Sequence, residues 1–322
     1  MEKIDKRVVS PIAMFVYNRV GTARKTIANL LKNDMACDTD LFVFSDGGRD
    51  GKSWAKVNEV RKYFHTLKRQ EEHRGFKSIT LVERPVNYYL ERNVMEGIRQ
   101  VFEGYDRVIV MEDDVITSAF FLKYMNDALT YYNDCHRVMH VAAFTPLDIP
   151  QKGDVYFTPH MSGAGGWATW KDRWENYFVY YKSREEALAG MTEEKIDHIQ
   201  YGGVFHCLQS LDRKPIPWDI CWEIAIYKND GLCLSPTHAL FRNIGLNNGT
   251  HFNIINRLFG HFEFDRPYCN RQLNVAKSPV AEDAEIETVL NPAALVDHGF
   301  RYNLFGKVIR YFYLKYFKKW KS

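Results

Sequence analysis

Five short apolar runs, at residues 12–17, 41–45, 79–82, 107–111 and 138–142, are separated by stretches of helical period. Each run is rich in β-branched or aromatic residues and too short for a helix, so each reads as a strand. Between them, apolar residues recur at intervals of three and four. Phe121, Tyr124, Met125, Ala128, Leu129 and Tyr132 form one stripe, and Val94, Ile98, Val101 and Phe102 another. Strands alternating with helices predict an α/β fold, a mostly parallel sheet flanked by helices on both faces. Sheets of that kind bind ligands beyond the carboxyl ends of their strands. After residue 150 the regularity loosens. An extended stretch at 155–158 precedes a glycine-rich loop at 163–166, a Trp-rich segment and a helix near 219–228. Residues 261–300 carry Pro267, Pro279 and Pro292 without a sustained period and read as an irregular wrap or linker.

A chain of 322 residues can bury a large core. Its net charge of +3 is a property of the end: residues 301–322 hold seven Lys/Arg and no acids, leaving 36 basic against 40 acidic residues elsewhere. A mildly acidic body argues against a general nucleic-acid binder. The six cysteines contain no C-x-x-C pair, as expected of free thiols in a reducing compartment. His206, Cys207, Cys233 and His238 fit no common zinc spacing. The first residues lack the apolar core of a signal peptide, and no apolar run approaches the roughly 18 residues of a membrane span. A cytoplasmic protein is expected, in which the sequon Asn248-Gly249-Thr250 has no chemical meaning.

The strongest chemical signal is Glu112-Asp113-Asp114, directly after Val108-Ile109-Val110-Met111. Three carboxylates at the end of a buried strand repel one another unless a cation joins them, and a hard divalent ion, Mn²⁺ or Mg²⁺, suits such donors. The competing reading is an acidic start to a helix beginning near Thr117. The stretch from Asp46 to Ser53 imitates a phosphate-binding loop, but G-x-x-x-x-G-K-[ST] requires glycine at position 46. Asp46 suits either an acceptor for a base N–H, as on uracil, or a turn before Gly47-Gly48. Asn18 and Arg19 end the first strand, where an arginine fork fits a diphosphate. Asn87 and Arg92 hold the equivalent place after the third. Gly163-Ala164-Gly165-Gly166-Trp167 combines close backbone approach with an indole that packs either on a sugar face or in the core. Asp219, next to Trp218, is either a helix cap or a general base with a raised pKa; Glu223, one turn on, is its rival.

In this order the pieces resemble the GT-A-fold (Rossmann-like) glycosyltransferases, most closely the N-acetylglucosaminyltransferase I type. The resemblance covers roughly residues 11–255 and rests on Tyr17-Asn18-Arg19, Asp46, Glu112-Asp113-Asp114, the Gly163–Trp167 loop and Trp218-Asp219-Ile220-Cys221-Trp222. It implies a nucleotide-sugar-binding half over 1–150 and an acceptor half of the same domain over 151–260. It also implies that Asp114 holds Mn²⁺, that Glu112 and Asp113 contact ribose or order the site, that Asp46 reads uracil and that Arg19 meets the phosphates. His251 falls where many such enzymes place a further metal or phosphate ligand. The Trp-Asp segment departs from the family by one missing acid and one inserted residue, so Asp219 and Glu223 both stand as the base. The expected reaction is inverting transfer from a UDP-sugar to a glycan or lipid-linked saccharide. The alternatives are a nucleotide-sugar-binding module without turnover and a sugar-phosphate nucleotidyltransferase.

Ile309, Phe312, Tyr313, Tyr316, Phe317 and Trp320 form an aromatic stripe bordered by lysines. Residues 301–322 therefore read as an amphipathic helix for an anionic membrane surface, or as a helix docked on the enzyme's own core.

Overall fold

The computed structural model describes residues 9–71, 75–149, 153–202, 207–245, 268–276 and 280–290. Ten strands are β1 (Ile12–Val16), β2 (Asp40–Ser45), β3 (Ser78–Glu83), β4 (Arg107–Glu112), β5 (Val115–Thr117), β6 (Val138–Ala142), β7 (Val155–Thr158), β8 (Gly166–Trp170), β9 (Leu232–Pro236) and β10 (Phe241–Asn243). The helices are α1 (Val20–Leu30), α2 (Gly51–Glu71), α3 (Tyr89–Phe102), α4 (Phe121–Tyr131), α5 (Lys171–Tyr177), α6 (Arg184–Leu188), α7 (Glu193–Ile199), α8 (Trp218–Lys228) and α9 (Ala284–Leu290). All five strands expected in the first half are present, each within one residue of its expected ends.

Eight strands form one mixed sheet in the order β3-β2-β1-β4-β8-β6-β9-β7. The pairings β2–β3, β1–β2, β1–β4 and β6–β9 are parallel. β8 runs antiparallel to both β4 and β6, and β7 antiparallel to β9. Strands from both halves of the chain thus share a single sheet. Alternation along each strand separates two apolar layers. Ile12, Met14 and Val16 of β1, with Ile109 and Met111 of β4, pack under α1, α2 and α4. Ala13, Phe15, Val108 and Val110 face α3 and α8 on the other side. The stripes of α3 and α4 are buried as their periods require.

Gly97 shows how tightly α3 sits: a β-carbon there would lie 2.6 Å from Cε1 and 2.8 Å from Cζ of Phe15. Gly97→Ala should therefore cost about 1–3 kcal/mol through overpacking, measured as a lowered denaturant midpoint with an unchanged slope.

Two expectations need correction, and one open choice, core or sugar face for the Trp-rich segment, falls to the core. No helix begins near Thr117: the acids are followed by β5, which pairs antiparallel with β10, and α4 starts at Phe121. The Trp-rich segment is a core strand, β8, followed by α5. Within the expected linker stands α9, whose Ile286 and Leu290 pack with Ile149 and Tyr156. Its seven residues are too few to show a period. His251 and residues 301–322 lie outside the described residues.

Candidate active site

The chain runs outward from β1 through β2 to β3, then returns to place β4 on the opposite side of β1. Crevices at such reversals are where open α/β sheets bind ligands. In the parallel register Phe15 stands beside Glu112, so the end of β1 adjoins the acidic triad. Arg19, at the start of α1, bridges two of the acids: one terminal nitrogen lies 2.8 Å from Asp113 Oδ1 and the other 2.8 Å from Asp114 Oδ2. The Tyr17 amide approaches Asp113 Oδ2 at 3.5 Å, and the Thr26 hydroxyl donates to the Asp113 carbonyl. Asn243 Nδ2 reaches Asp114 Oδ1 at 3.4 Å, and the Ile244 amide donates to the Asp114 carbonyl at 2.7 Å. The backbone at Gly245 passes so near that a β-carbon there would collide with the Asp114 carboxylate.

Asp113 and Asp114 are buried and Glu112 is half-buried. One guanidinium does not balance three carboxylates. Burial, then the charges of Asp114 and Asp113, push Glu112 up to about 8, with Asp219 adding to the rise. Burial likewise lifts Asp113 to about 6, although Arg19 opposes it. Burial works against the charge of Arg19, but Asp113, Asp114 and Glu112 outweigh it and hold the group above its ordinary value. Both acids thus bind protons in the folded state that the unfolded chain has already released. Stability should fall as pH rises between about 4 and 8, and Glu112→Gln should flatten that slope, as read by urea midpoints across the range.

The glycine loop arrives at the same end of the sheet. Met111 pairs with Gly166, and the Glu112 amide donates to the Gly165 carbonyl at 3.1 Å. Gly163 needs its glycine, with φ at +70°. Trp167, by contrast, is fully buried, stacked between His140 at 5.0 Å and Trp218 at 5.3 Å, and offers no face to a sugar. Asp219 is the second residue of α8, half-buried, with Oδ1 accepting from the Ile220 amide at 2.9 Å. Burial raises its pKa, and the charge of Glu223 adds to the effect. Glu223 itself points along α8 to His160, 3.6 Å away.

A second group forms at the end of β2. Asp46 Oδ1 accepts from the amides of Gly47 (2.8 Å) and Tyr88 (2.6 Å), and Oδ2 from Asn87 Nδ2 (3.0 Å). The carboxylate thereby ties the loop after β3 to the end of β2, and burial raises its pKa despite those donors. Gly47 permits the approach: a β-carbon there would collide with the backbone of Val86. The imitation phosphate loop uses its own amides, since those of Arg49 and Asp50 both donate to Ser53 Oγ. Arg92 stands apart, paired with Glu96 at 2.7 Å and lying over Tyr88 on the exposed side of α3. Asn18 is half-buried beside Arg19.

Asn243 and Gly245 had no signal in the sequence. They reach Asp114 through the β5–β10 pairing, which links segments more than a hundred residues apart and leaves no local period. The Tyr88 amide was likewise invisible, because a main-chain donor has no residue type.

No family model matches the chain, and no curated protein matches it. Among solved structures, it is similar to "Mannosyltransferase PcManGT from Pyrobaculum calidifontis in complex with GDP-Man and Mn2+" at 13% identity and TM-score 0.39, covering 69% of each chain. It is also similar to S. aureus TarS at 14% identity and TM-score 0.36, covering 55% of this chain and 31% of that one. A shorter TarS, residues 1–349, aligns at 12% identity and TM-score 0.36, covering 53% and 50%.

Proposed function

We propose that this chain is a metal-dependent glycosyltransferase of the GT-A kind that takes a sugar from a nucleotide diphosphate. The observation that carries the reading is the triad Glu112, Asp113 and Asp114 at the strand-order reversal, underbalanced by Arg19. Those oxygens suit a hard divalent cation such as Mn²⁺ or Mg²⁺, and the excess negative charge that raises Glu112 is what such an ion relieves. Asp114 and Asp113 would hold the ion; when bound, it would supply stabilisation of the departing diphosphate. Arg19, at the triad's edge, would turn one of its nitrogens to the phosphates. The Gly163–Gly166 loop brings backbone close to the same point. Asp46, engaged by three N–H groups, would shape the base-side wall together with Asn87.

Asp219 is the proposed base, because its raised pKa fits proton acceptance from an acceptor hydroxyl and Glu223 points elsewhere. The UDP donor, the inverting outcome and a glycan or lipid-linked acceptor belong to the same proposal, as does the likeness to the N-acetylglucosaminyltransferase I type. Among the described residues no helix is long and apolar enough to cross a membrane. Residues 301–322 are proposed to meet an anionic surface, so truncation after Phe300 should abolish co-sedimentation with anionic liposomes; unchanged co-sedimentation refutes that role.

The test of the function is a thermal-shift screen of nucleotide sugars with and without Mn²⁺. Stabilisation by one donor only in the presence of the ion is expected. Stabilisation by NTPs instead, with pyrophosphate released in the presence of a sugar phosphate, would replace transfer with nucleotidyl chemistry.

A further inference from the structure

One turn beyond Asp219, α8 leads into a second polar cluster that the proposed reaction does not use. His160 follows β7, His198 ends α7 and Glu287 lies in α9. One ligand atom from each lies within 4.8 Å of the others. His160 is 5% exposed and Glu287 9% exposed. Glu287 Oε2 accepts from His198 Nε2 at 2.8 Å, but its other oxygen is buried with no hydrogen-bond partner among the described residues. A buried carboxylate oxygen without a donor is costly and calls for an explanation.

The surroundings order the two rings. The Tyr227 hydroxyl lies 2.8 Å from His160 Nε2, Tyr201 stacks on the same imidazole at 3.9 Å, and the His198 ring meets it edge-on at 5.5 Å. Glu223 Oε1 stands 3.6 Å from His160 Nδ1. That separation is too long for a good hydrogen bond, and Glu223 stands beside the three converging residues rather than among them. The Tyr227 hydroxyl also lies 3.1 Å from His160 Nδ1, so it steadies the ring along the edge that carries both nitrogens.

We propose that His160, His198 and Glu287 form a zinc site, its fourth position taken by water, that pins α7 and α9 against the end of β7. Two imidazoles with a carboxylate favour Zn²⁺, whereas the all-oxygen triad suits Mn²⁺ or Mg²⁺, so the two sites select different ions. A zinc ion there neutralises the second carboxylate oxygen of Glu287.

The test is metal content together with Co²⁺ absorption, since four-coordinate Co²⁺ gives an intense visible band. The purified full chain should carry one equivalent of zinc, and after chelation should bind one Co²⁺ with that band. Asp114→Asn should keep both properties, because the triad is a separate site. Glu287→Gln preserves shape and should bind Co²⁺ more than about 100-fold more weakly, since even the loss of an outer partner costs 10–100-fold. His198→Ala should do the same. No four-coordinate band in the wild type, or wild-type Co²⁺ affinity in Glu287→Gln, overturns the site and leaves His198 and Glu287 as a simple ion pair. The proposed transferase activity is untouched by that outcome, because it is read at the triad.

Discussion

Asp114→Asn should abolish Mn²⁺-dependent binding of a nucleotide-sugar donor, with affinity falling at least about 100-fold, while the protein stays folded. Asp114 is one of two carboxylates that Arg19 bridges, and it receives Asn243 on its other oxygen. Neutralising it removes a ligand and one arm of that bridge, yet leaves Arg19 its contact with Asp113 and relieves the repulsion felt by Glu112. These opposing changes should nearly cancel in the melting temperature without metal. Titration calorimetry with and without Mn²⁺ separates the two effects. Donor binding with wild-type metal dependence would mean that the triad is not the metal site.

Asp219→Asn should lower the chemical step by roughly 10²–10⁴-fold with donor affinity little changed, the pattern of a lost general base. Glu223→Gln should have a mild effect on the same step. The difference rests on placement. Asp219 lies half-buried at the start of α8 and adds to the rise of Glu112, whereas Glu223 faces His160. Single-turnover rates on a saturating donor distinguish the two variants, and equal small losses would place the base elsewhere.

The parallel half of the fold was legible because its strands and helices carry local periods: the stripes of α3 and α4 are buried residue for residue. Glu112, Asp113 and Asp114 stood out for a related reason, since acids directly after an apolar run are conspicuous in any α/β chain. β8 was not legible. Gly166-Trp167-Ala168-Thr169-Trp170 is buried on both faces, so it has no alternation, and its antiparallel place between β4 and β6 follows from tertiary packing alone. The same burial decides Trp167, whose indole belongs to the core. Arg19 was found as a residue suited to anions, but its partners within the protein, two acids about ninety residues away, could not be inferred from spacing. Asp46 and Asn87 stand out as polar residues after strands, but the bond between them and the two main-chain amides on Asp46 have no signature in the sequence.

The place of β8 also bears on how the chain is made. The sheet's parallel half ends at β4, whose far edge is covered only by Gly166–Trp170, while β4 itself is complete at Glu112. At ribosomal rates of about 5–20 residues per second, roughly 3–12 s separate the emergence of the two segments. During that interval Val108, Ile109 and Val110 present open main-chain donors and acceptors along an apolar strand, the kind of edge that recruits other chains. The covering of β4 thus waits for Trp170, and the nascent chain is most exposed to mispairing while its own middle third is still emerging.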